Sequence, residues 1–353
     1  MKQRSTQAWT AGRGKTQRVV EAAEHLGLTQ ALRPLHDRRR VCLTILAYHR
    51  IAPTVSMESY RFDPDLISTT VAEFQWQMEH IRRAMSPVAL AQVVEHLDAG
   101  AALPARAVAV TFDDGFDDTY RFAFPILRSL DIPATAFVTT GYVDSHQPFW
   151  FELTAHIVMR VAPQAIGFPE LAAAVPSGSS LPERRRSLRQ LLEVMKSLPN
   201  ERRTSLLQQW SEQFAGQINA SLAELGRSLT WREIAEMAAA GMTFGSHTVT
   251  HPNLTTLSDS QLRWELQESK RTLEQRLKCT IDTLAYPIGT RSAYDARVTG
   301  IAQSSGYRLG LSYVSGANWL GELNRFELRR HNIGLHVSRP YFSAMTTLPA
   351  WLE

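Results

Sequence analysis

An apolar segment, residues 107–112, ends directly in two adjacent aspartates, Asp113 and Asp114. Its unbroken apolar character predicts a strand that is buried on both faces, which is typical of the parallel sheets of α/β proteins. Gly115 follows and allows the backbone to turn. Because α/β folds place their chemistry at the carboxyl ends of strands, this segment predicts both the fold class and the position of a site.

Two histidines form a second candidate cluster in a later part of the chain. Residues 241–245 predict a short strand, and His247 and His251 follow it. Their spacing predicts one helical turn that aims both imidazoles in the same direction. Two imidazoles and one carboxylate leave coordination positions open for water and substrate, an arrangement typical of catalytic zinc.

Each signal alone also has a common structural explanation. Adjacent aspartates before a glycine are often a turn or a helix cap, and paired histidines are often a solvated helix face. Their joint occurrence after strand-like segments favours a metal site. One aspartate would bind the metal while its neighbour accepts a proton from the attacking water, which predicts hydrolysis. Asp117 and Asp118 are instead predicted to cap a helix over residues 117–130.

These motifs resemble those of the polysaccharide deacetylases, carbohydrate esterase family 4. The family's first motif, Thr-Phe-Asp-Asp-Gly, stands at residues 111–115, and its His-Ser/Thr-x-x-His motif stands at 247–251. Residues 131–138 resemble the family's next strand, and residues 284–289 resemble its third motif. The resemblance covers roughly residues 41–335, apart from an insertion described below.

The resemblance implies a role for each motif residue. Asp113 is expected to be the general base, while Asp114, His247 and His251 are expected to bind one divalent metal. Zinc is the default metal, and cobalt and nickel are the alternatives, because availability and geometry decide which ion occupies such a site.

The third motif differs from the family pattern at its first position. The usual arginine that orients the base is replaced by Ala285, and either Arg329 or Arg330 is a candidate to supply the charge. The backbone N–H of Ile288 is the expected oxyanion donor. Tyr286 of the same motif is assigned to the oxyanion and substrate site.

A group that protonates the leaving amine is also required, and histidine suits this role because its pKa lies near neutrality. We expect His49, which ends a predicted strand over residues 43–48. Tyr48-His49 resembles a motif in a permuted branch of the family that includes the poly-N-acetylglucosamine deacetylases. His331 and His336 are the alternatives.

The alternation of strand and helix patterns predicts an α/β fold, a distorted (β/α) barrel of the polysaccharide deacetylase type. Residues 1–40 predict a basic helical N-terminal segment, and residues 41–353 predict the catalytic domain. Within that domain, residues from about 143 to 228 predict an α-helical insertion. Its aromatic residues 149–151 are candidates for stacking on sugar rings, although such clusters more often pack in the core.

Composition excludes some classes of function. The 353 residues are 44% hydrophobic and 20% charged, as in soluble globular enzymes, and a net charge of +4 is too small to indicate nucleic acid. The sequence has no long apolar run and no secretory signal pattern, so we expect a cytoplasmic or membrane-peripheral location. The basic segment 1–40 favours an anionic membrane or an acidic glycan, with a solvated helix as the alternative. Cys42 and Cys279 are predicted to be buried thiols.

The sequence therefore predicts metal-dependent N-deacetylation of N-acetylated sugars in a surface polysaccharide or exopolysaccharide, or in its precursor. A glycan is the expected partner. One alternative is a non-catalytic glycan-binding or polysaccharide-assembly protein that retains the metal site, which the alanine at position 285 favours. Another is hydrolysis of an ester or of a non-sugar amide, because the same chemistry serves any small acyl group.

Overall fold

The computed structural model describes residues 15–28, 42–58, 60, 63–145, 147–161, 180–219 and 226–348. The predicted N-terminal segment, residues 1–40, lies outside these ranges except for residues 15–28. There, helix α1 (Lys15–His25) packs against the last of the described helices, Arg339–Thr347, and its Gln17 side chain donates a hydrogen bond to the carbonyl of His336.

The strands of the described residues form one large sheet and one small one. They are β1 (Cys42–Tyr48), β2 (Arg50–Ala52), β3 (Ile67–Thr70), β4 (Ser86–Pro87), β5 (Ala107–Phe112), β6 (Ala134–Val138), β7 (Thr243–Ser246), β8 (Thr283–Ala285), β9 (Leu309–Leu311), β10 (Asn318–Trp319) and β11 (His331–Asn332). The large sheet has the order β10-β1-β5-β6-β7-β8-β9, while β11 also pairs with β1 and β4 with β5. All its pairings are parallel except that of β10 with β1. Strands β2 and β3 form the small sheet.

Helices surround this sheet. After α1 they are α2 (Val71–Ala84), α3 (Leu90–Ala99), α4 (Phe124–Ser129), α5 (Trp150–Arg160), α6 (Leu181–Ser197), α7 (Asn200–Gln213), α8 (Ala215–Asn219), α9 (Trp231–Ala239), α10 (Asp259–Leu277), α11 (Ala296–Ser304) and α12 (Arg339–Thr347). The parallel sheet curled into a half-barrel with surrounding helices confirms the predicted distorted (β/α) barrel.

The central strands β1 and β5 are buried along their whole length, as their apolar sequences predict. Apolar side chains pack on both faces of the sheet, and a separate apolar cluster fills the space among helices α5 to α8. These four helices lie in the chain between β6 and β7, in the region where the sequence predicts a helical insertion. Burial on both faces fixes the register of β1 against β5, so their carboxyl ends meet at the same edge.

Two local predictions are wrong. A helical stretch does follow Asp117 and Asp118, as a π-helical turn over Thr119–Ala123 that continues into α4, but Asp118 at its start makes no side-chain cap hydrogen bond. Both carboxylates are buried and form ion pairs instead, Asp117 with Arg121 and Asp118 with Arg50. Cys279 is exposed, whereas Cys42 is buried as predicted.

No helix among the described residues is both long enough and apolar enough to cross a bilayer.

Candidate active site and metal centre

The predicted site residues converge at one edge of the sheet. Asp113 and Asp114 follow β5, and His247 follows β7, with only β6 between these two strands. Ala285 ends β8, the neighbour of β7. Parallel pairing therefore gathers segments that are far apart in the chain at the carboxyl ends of adjacent strands.

Asp114, His247 and His251 form a cluster that could hold a metal ion. One potential ligand atom from each lies within 4.8 Å of the others, and all three residues are buried. Asp114 Oδ1 lies 3.5 Å from Nε2 of His247 and 3.3 Å from Nε2 of His251. Within the described part of the chain, neither carboxylate oxygen of Asp114 has a hydrogen-bond partner. A buried carboxylate without a partner is costly, so this donor set fits a divalent cation.

The ring of His247 is fixed by a contact with β8. Its Nδ1–H donates to the carbonyl of Ala285 over 2.7 Å. This contact occupies Nδ1 and leaves Nε2 as the nitrogen that faces Asp114. Such a contact is the usual way in which proteins orient a metal-binding histidine.

His251 is held by the helical region that precedes β7. The indole N–H of Trp150 donates to the carbonyl of His251 over 3.1 Å, and the ring of Phe151 packs edge-on against the imidazole. Burial lowers the pKa of His251 to about 3, so the imidazole is neutral near pH 7 and suited to bind a metal. The aromatic residues 149–151 are buried in the apolar cluster of this region, so they pack in the core, the alternative that the sequence favoured over stacking on sugars.

The segment between the two histidines is a loop, so the predicted helical turn is wrong. Thr248 and His251 adopt left-handed backbone conformations, with φ of 68° and 57°. The two imidazoles nevertheless converge, with ring centroids 4.9 Å apart. Glu265, in the middle of α10, accepts hydrogen bonds from the N–H groups of Val249 and Thr250. No pattern in the sequence indicated Glu265 as part of the site.

Asp113 is held by Arg330, one of the two arginines that the sequence left open. Nη1 and Nη2 of Arg330 each donate to one carboxylate oxygen of Asp113 over 2.7 Å. Nε donates to the carbonyl of Ser312, and both charged side chains are buried. Burial raises the pKa of Asp113, but the charge of Arg330 outweighs it and holds that pKa well below its usual range. Asp113 is therefore ionised at neutral pH, as a general base must be.

His49 lies beside Asp113, because the carbonyl of Tyr48 at the end of β1 accepts a hydrogen bond from the Asp113 N–H over 2.8 Å. Its Nδ1 lies 3.4 Å from the hydroxyl of Tyr313. The alternative His331 is buried within the sheet opposite Leu46, and burial lowers its pKa to about 4. The other alternative, His336, is exposed and lies beyond β11. Of the three histidines, His49 has the position that suits a proton donor at this edge.

The third motif forms a strained turn after β8. Ile288 has φ of 64°, a conformation that a β-branched residue rarely adopts outside functional sites. Its backbone N–H remains our predicted oxyanion donor. The side chain of Tyr286 is buried, and its hydroxyl donates to the carbonyl of Phe326 over 3.0 Å. The side chain of Tyr286 therefore packs in the core, which argues against a substrate contact through this side chain.

A second buried cluster of charges lies next to His49. Arg50 donates to Asp118 and to Glu152 of α5, each over 3.0 Å, and thus joins the barrel to the helical region. Burial raises the pKa of Asp118 to about 6 and that of Glu152 to about 7, because one arginine does not compensate two buried carboxylates. No pattern in the sequence predicts this cluster, since its members are far apart in the chain.

Comparison with known proteins identifies the family of the chain. Residues 100–310 match the family model described as Polysaccharide deacetylase. A segment of 73 residues is 37% identical to the poly-beta-1,6-N-acetyl-D-glucosamine N-deacetylase of Escherichia coli strain K12, covering 21% of this chain and 10% of that protein. The chain thus spans a tenth of the length of this curated relative.

Solved structures show the same fold. The Streptococcus pyogenes deacetylase PplD, in complex with acetate, superposes with a TM-score of 0.57 at 21% identity, over 88% of this chain and 100% of that one. IcaB from Ammonifex degensii gives 0.53 at 19% identity, over 87% and 97% of the two chains. The BpsB deacetylase domain from Bordetella bronchiseptica gives 0.51 at 17%, over 84% and 97%. With its motifs assembled at one edge of this barrel and the family match covering more than half of its length, the chain belongs to the polysaccharide deacetylase family.

Proposed function

We propose that this protein is a metal-dependent N-deacetylase that acts on N-acetylated sugars in a surface polysaccharide or exopolysaccharide, or in its precursor. The observation that carries the proposal is the buried carboxylate of Asp113, which Arg330 keeps ionised immediately beside the Asp114, His247 and His251 cluster. A base next to a three-ligand set is the arrangement that metal-assisted hydrolysis requires.

Each residue has one role in the proposed reaction. Asp113 accepts a proton from the attacking water, and Arg330 keeps the carboxylate in position. The N–H of Ile288 donates to the oxygen that gains negative charge. His49 gives a proton to the leaving amine from the opposite side.

Asp114, His247 and His251 would hold the divalent metal, with zinc as the default and cobalt or nickel as alternatives. When bound, the metal supplies a Lewis acid that polarises the acetyl carbonyl and makes water more acidic. The neutral imidazole of His251 and the orientation of His247 suit this role, because both rings present Nε2 toward Asp114.

The names of the relatives support a sugar amide as the substrate. The matched Escherichia coli protein is named for N-deacetylation of poly-beta-1,6-N-acetyl-D-glucosamine. The competing proposal of a non-catalytic glycan-binding protein rests on the missing arginine at position 285. Arg330 places an equivalent positive charge beside Asp113, which removes the main argument for that alternative.

The test is the release of acetate from N-acetylglucosamine oligomers by the purified protein. We expect release that stops on chelation and returns with Zn²⁺. Asp113→Asn should retain the metal and lose at least about 100-fold in turnover, the usual cost of removing a general base. Asp117→Asn is the control, because Asp117 lies near the same strand end but pairs with Arg121, outside the catalytic set.

Three results would count against the proposal. Undiminished turnover in Asp113→Asn would exclude Asp113 as the base. Absence of acetate release from a metal-loaded protein that binds the oligomers would favour the non-catalytic alternative, while release from ester substrates alone would favour an esterase.

A further inference from the structure

We propose that Glu265 is a positioning residue that holds the loop between His247 and His251 in its metal-binding conformation. This inference rests on the proposed metal site and adds a residue to it. Glu265 lies in the middle of α10 and touches the loop rather than the cluster itself, so it would act through the positions of the two histidines.

Both carboxylate oxygens of Glu265 accept hydrogen bonds from the loop. Oε2 accepts hydrogen bonds from the N–H of Val249 over 2.7 Å and from the N–H of Thr250 over 3.0 Å. Oε1 accepts a further hydrogen bond from the hydroxyl of Thr250. Only 3% of Glu265 is exposed, so water does not compete for these contacts.

The other side of the loop is tied to the segment after β6. The carbonyl of Thr248 accepts from the N–H of Thr140 over 3.1 Å, and the carbonyl of Val249 accepts from the N–H of Gly141 over 2.9 Å. The loop is therefore held by its carbonyl groups on one side and by its N–H groups on the other. Glu265 supplies the acceptors on the second side.

This clamp matters because the loop is strained. Thr248 and His251 hold left-handed conformations that are unfavourable for these residues and persist only when the surroundings enforce them. Without the carboxylate, two N–H groups of the half-buried loop would lose their acceptor, which is unfavourable. The loop would then relax, and the imidazoles would leave the geometry in which their rings lie 4.9 Å apart.

Two conservative substitutions distinguish the effect of the position of the Glu265 carboxylate from the effect of its charge. Glu265→Gln loses the charge but keeps the geometry, because its amide oxygen can accept both N–H groups and its amide nitrogen can donate to the Thr250 hydroxyl. Glu265→Asp keeps the charge but withdraws the carboxylate by one methylene. If Glu265 acts by position, the glutamine variant should resemble the wild type and the aspartate variant should not.

The experiment is a direct measurement of Zn²⁺ affinity by competition with a chromogenic chelator. We expect Glu265→Asp to weaken affinity by about 10-fold and Glu265→Ala by about 10- to 100-fold, the range found when groups that orient metal ligands are removed. Glu265→Gln should stay within about 3-fold of the wild type by the same scale. Glu268→Ala is the matched control, since Glu268 lies on the same helix and pairs with Arg271.

Three results would overturn the inference. They are wild-type affinity in Glu265→Asp, a loss in Glu265→Gln as large as that in Glu265→Asp, and an equal loss in the Glu268→Ala control. Because the aspartate and glutamine variants carry the comparison, the test stands even if Glu265→Ala does not fold. Failure of the proposed function would appear separately, as a wild-type protein that binds Zn²⁺ but releases no acetate.

Discussion

Replacing Arg330 by methionine tests the electrostatic design of the site most directly. Arg330 makes two hydrogen bonds to Asp113 and further ones to the carbonyl of Ser312 and the hydroxyl of Thr111. Methionine fills a similar volume but leaves Asp113 as a buried carboxylate without its partner. Removing one member of a buried ion pair typically costs about 3–5 kcal/mol, so we expect a loss of this size in the free energy of unfolding.

The assay is urea unfolding of the metal-free protein near pH 7. It compares the wild type, Arg330→Met, Asp113→Asn and the double variant in a double-mutant cycle. The double variant carries no unpaired charge, so it should be more stable than Arg330→Met alone, and the two losses should not add. A loss below about 1 kcal/mol in Arg330→Met, or simple additivity, would refute the view that the pair is tightly coupled.

The same substitution should change how stability and kcat/KM depend on pH. In the wild type, Arg330 holds the pKa of Asp113 below its ordinary value of 3.8, so the pair contributes stability above that value and loses it as the pH falls toward the folded-state pKa. In Arg330→Met, burial is opposed only by the weaker effect of His247 and His49, so the pKa of the base should rise. The acid limb of kcat/KM should therefore move to higher pH, which a profile from pH 4 to 9 would detect. An unmoved limb would mean that Arg330 does not set the ionisation of Asp113.

Three further predictions concern single residues. His247→Ala should lose both the metal and turnover, and a metal content equal to the wild type by atomic emission would contradict the ligand set. His49→Gln should keep the metal but lower turnover of the sugar amide by about 100-fold or more. The loss should be smaller for aryl acetates, whose leaving group needs no proton. An equal loss on amide and aryl acetate would argue against an acid role. Because the pKa of Glu152 is raised from 4.5 to about 7, its ionisation should lower stability as the pH rises across that window, by up to about 3 kcal/mol. Urea unfolding of Glu152→Gln at pH 5 and pH 8 should accordingly show a smaller decline than the wild type, and equal declines would contradict the shift.

The sequence could predict which strands carry the site because burial and chemistry coincide there. The apolar strand that ends at Asp113 and the short strand before His247 both belong to the parallel sheet, and the carboxyl ends of parallel strands share one edge. The cluster of Asp114, His247 and His251 follows from that arrangement. Spacing alone misled in one respect, because histidines four residues apart converge here through a loop with left-handed residues rather than through a helix.

Sequence patterns reached the partners of these residues only in part, because they left Arg329 and Arg330 open as alternatives and did not indicate Glu265. Arg330 contacts Asp113 across 217 positions, and its placement depends on β11, a strand of only two residues. Glu265 occupies a helix, where an acidic residue ordinarily faces solvent. For the aromatic residues 149–151, the sequence could not decide between two roles, because an aromatic run has the same sequence whether it packs in a core or binds a sugar.

The backbone strain at this site sets a limit on how the protein could be made more stable. Eight residues other than glycine have positive φ among those described, and four of them belong to the site or its loops, namely Asp114, Thr248, His251 and Ile288. A redesign guided by stability alone would choose glycine at such positions, since glycine adopts this conformation without a steric penalty. Two of the four side chains are proposed metal ligands, so that gain in stability would remove the chemistry. These positions are where selection for stability and selection for activity are expected to conflict, and stabilising changes should be sought in the helices instead.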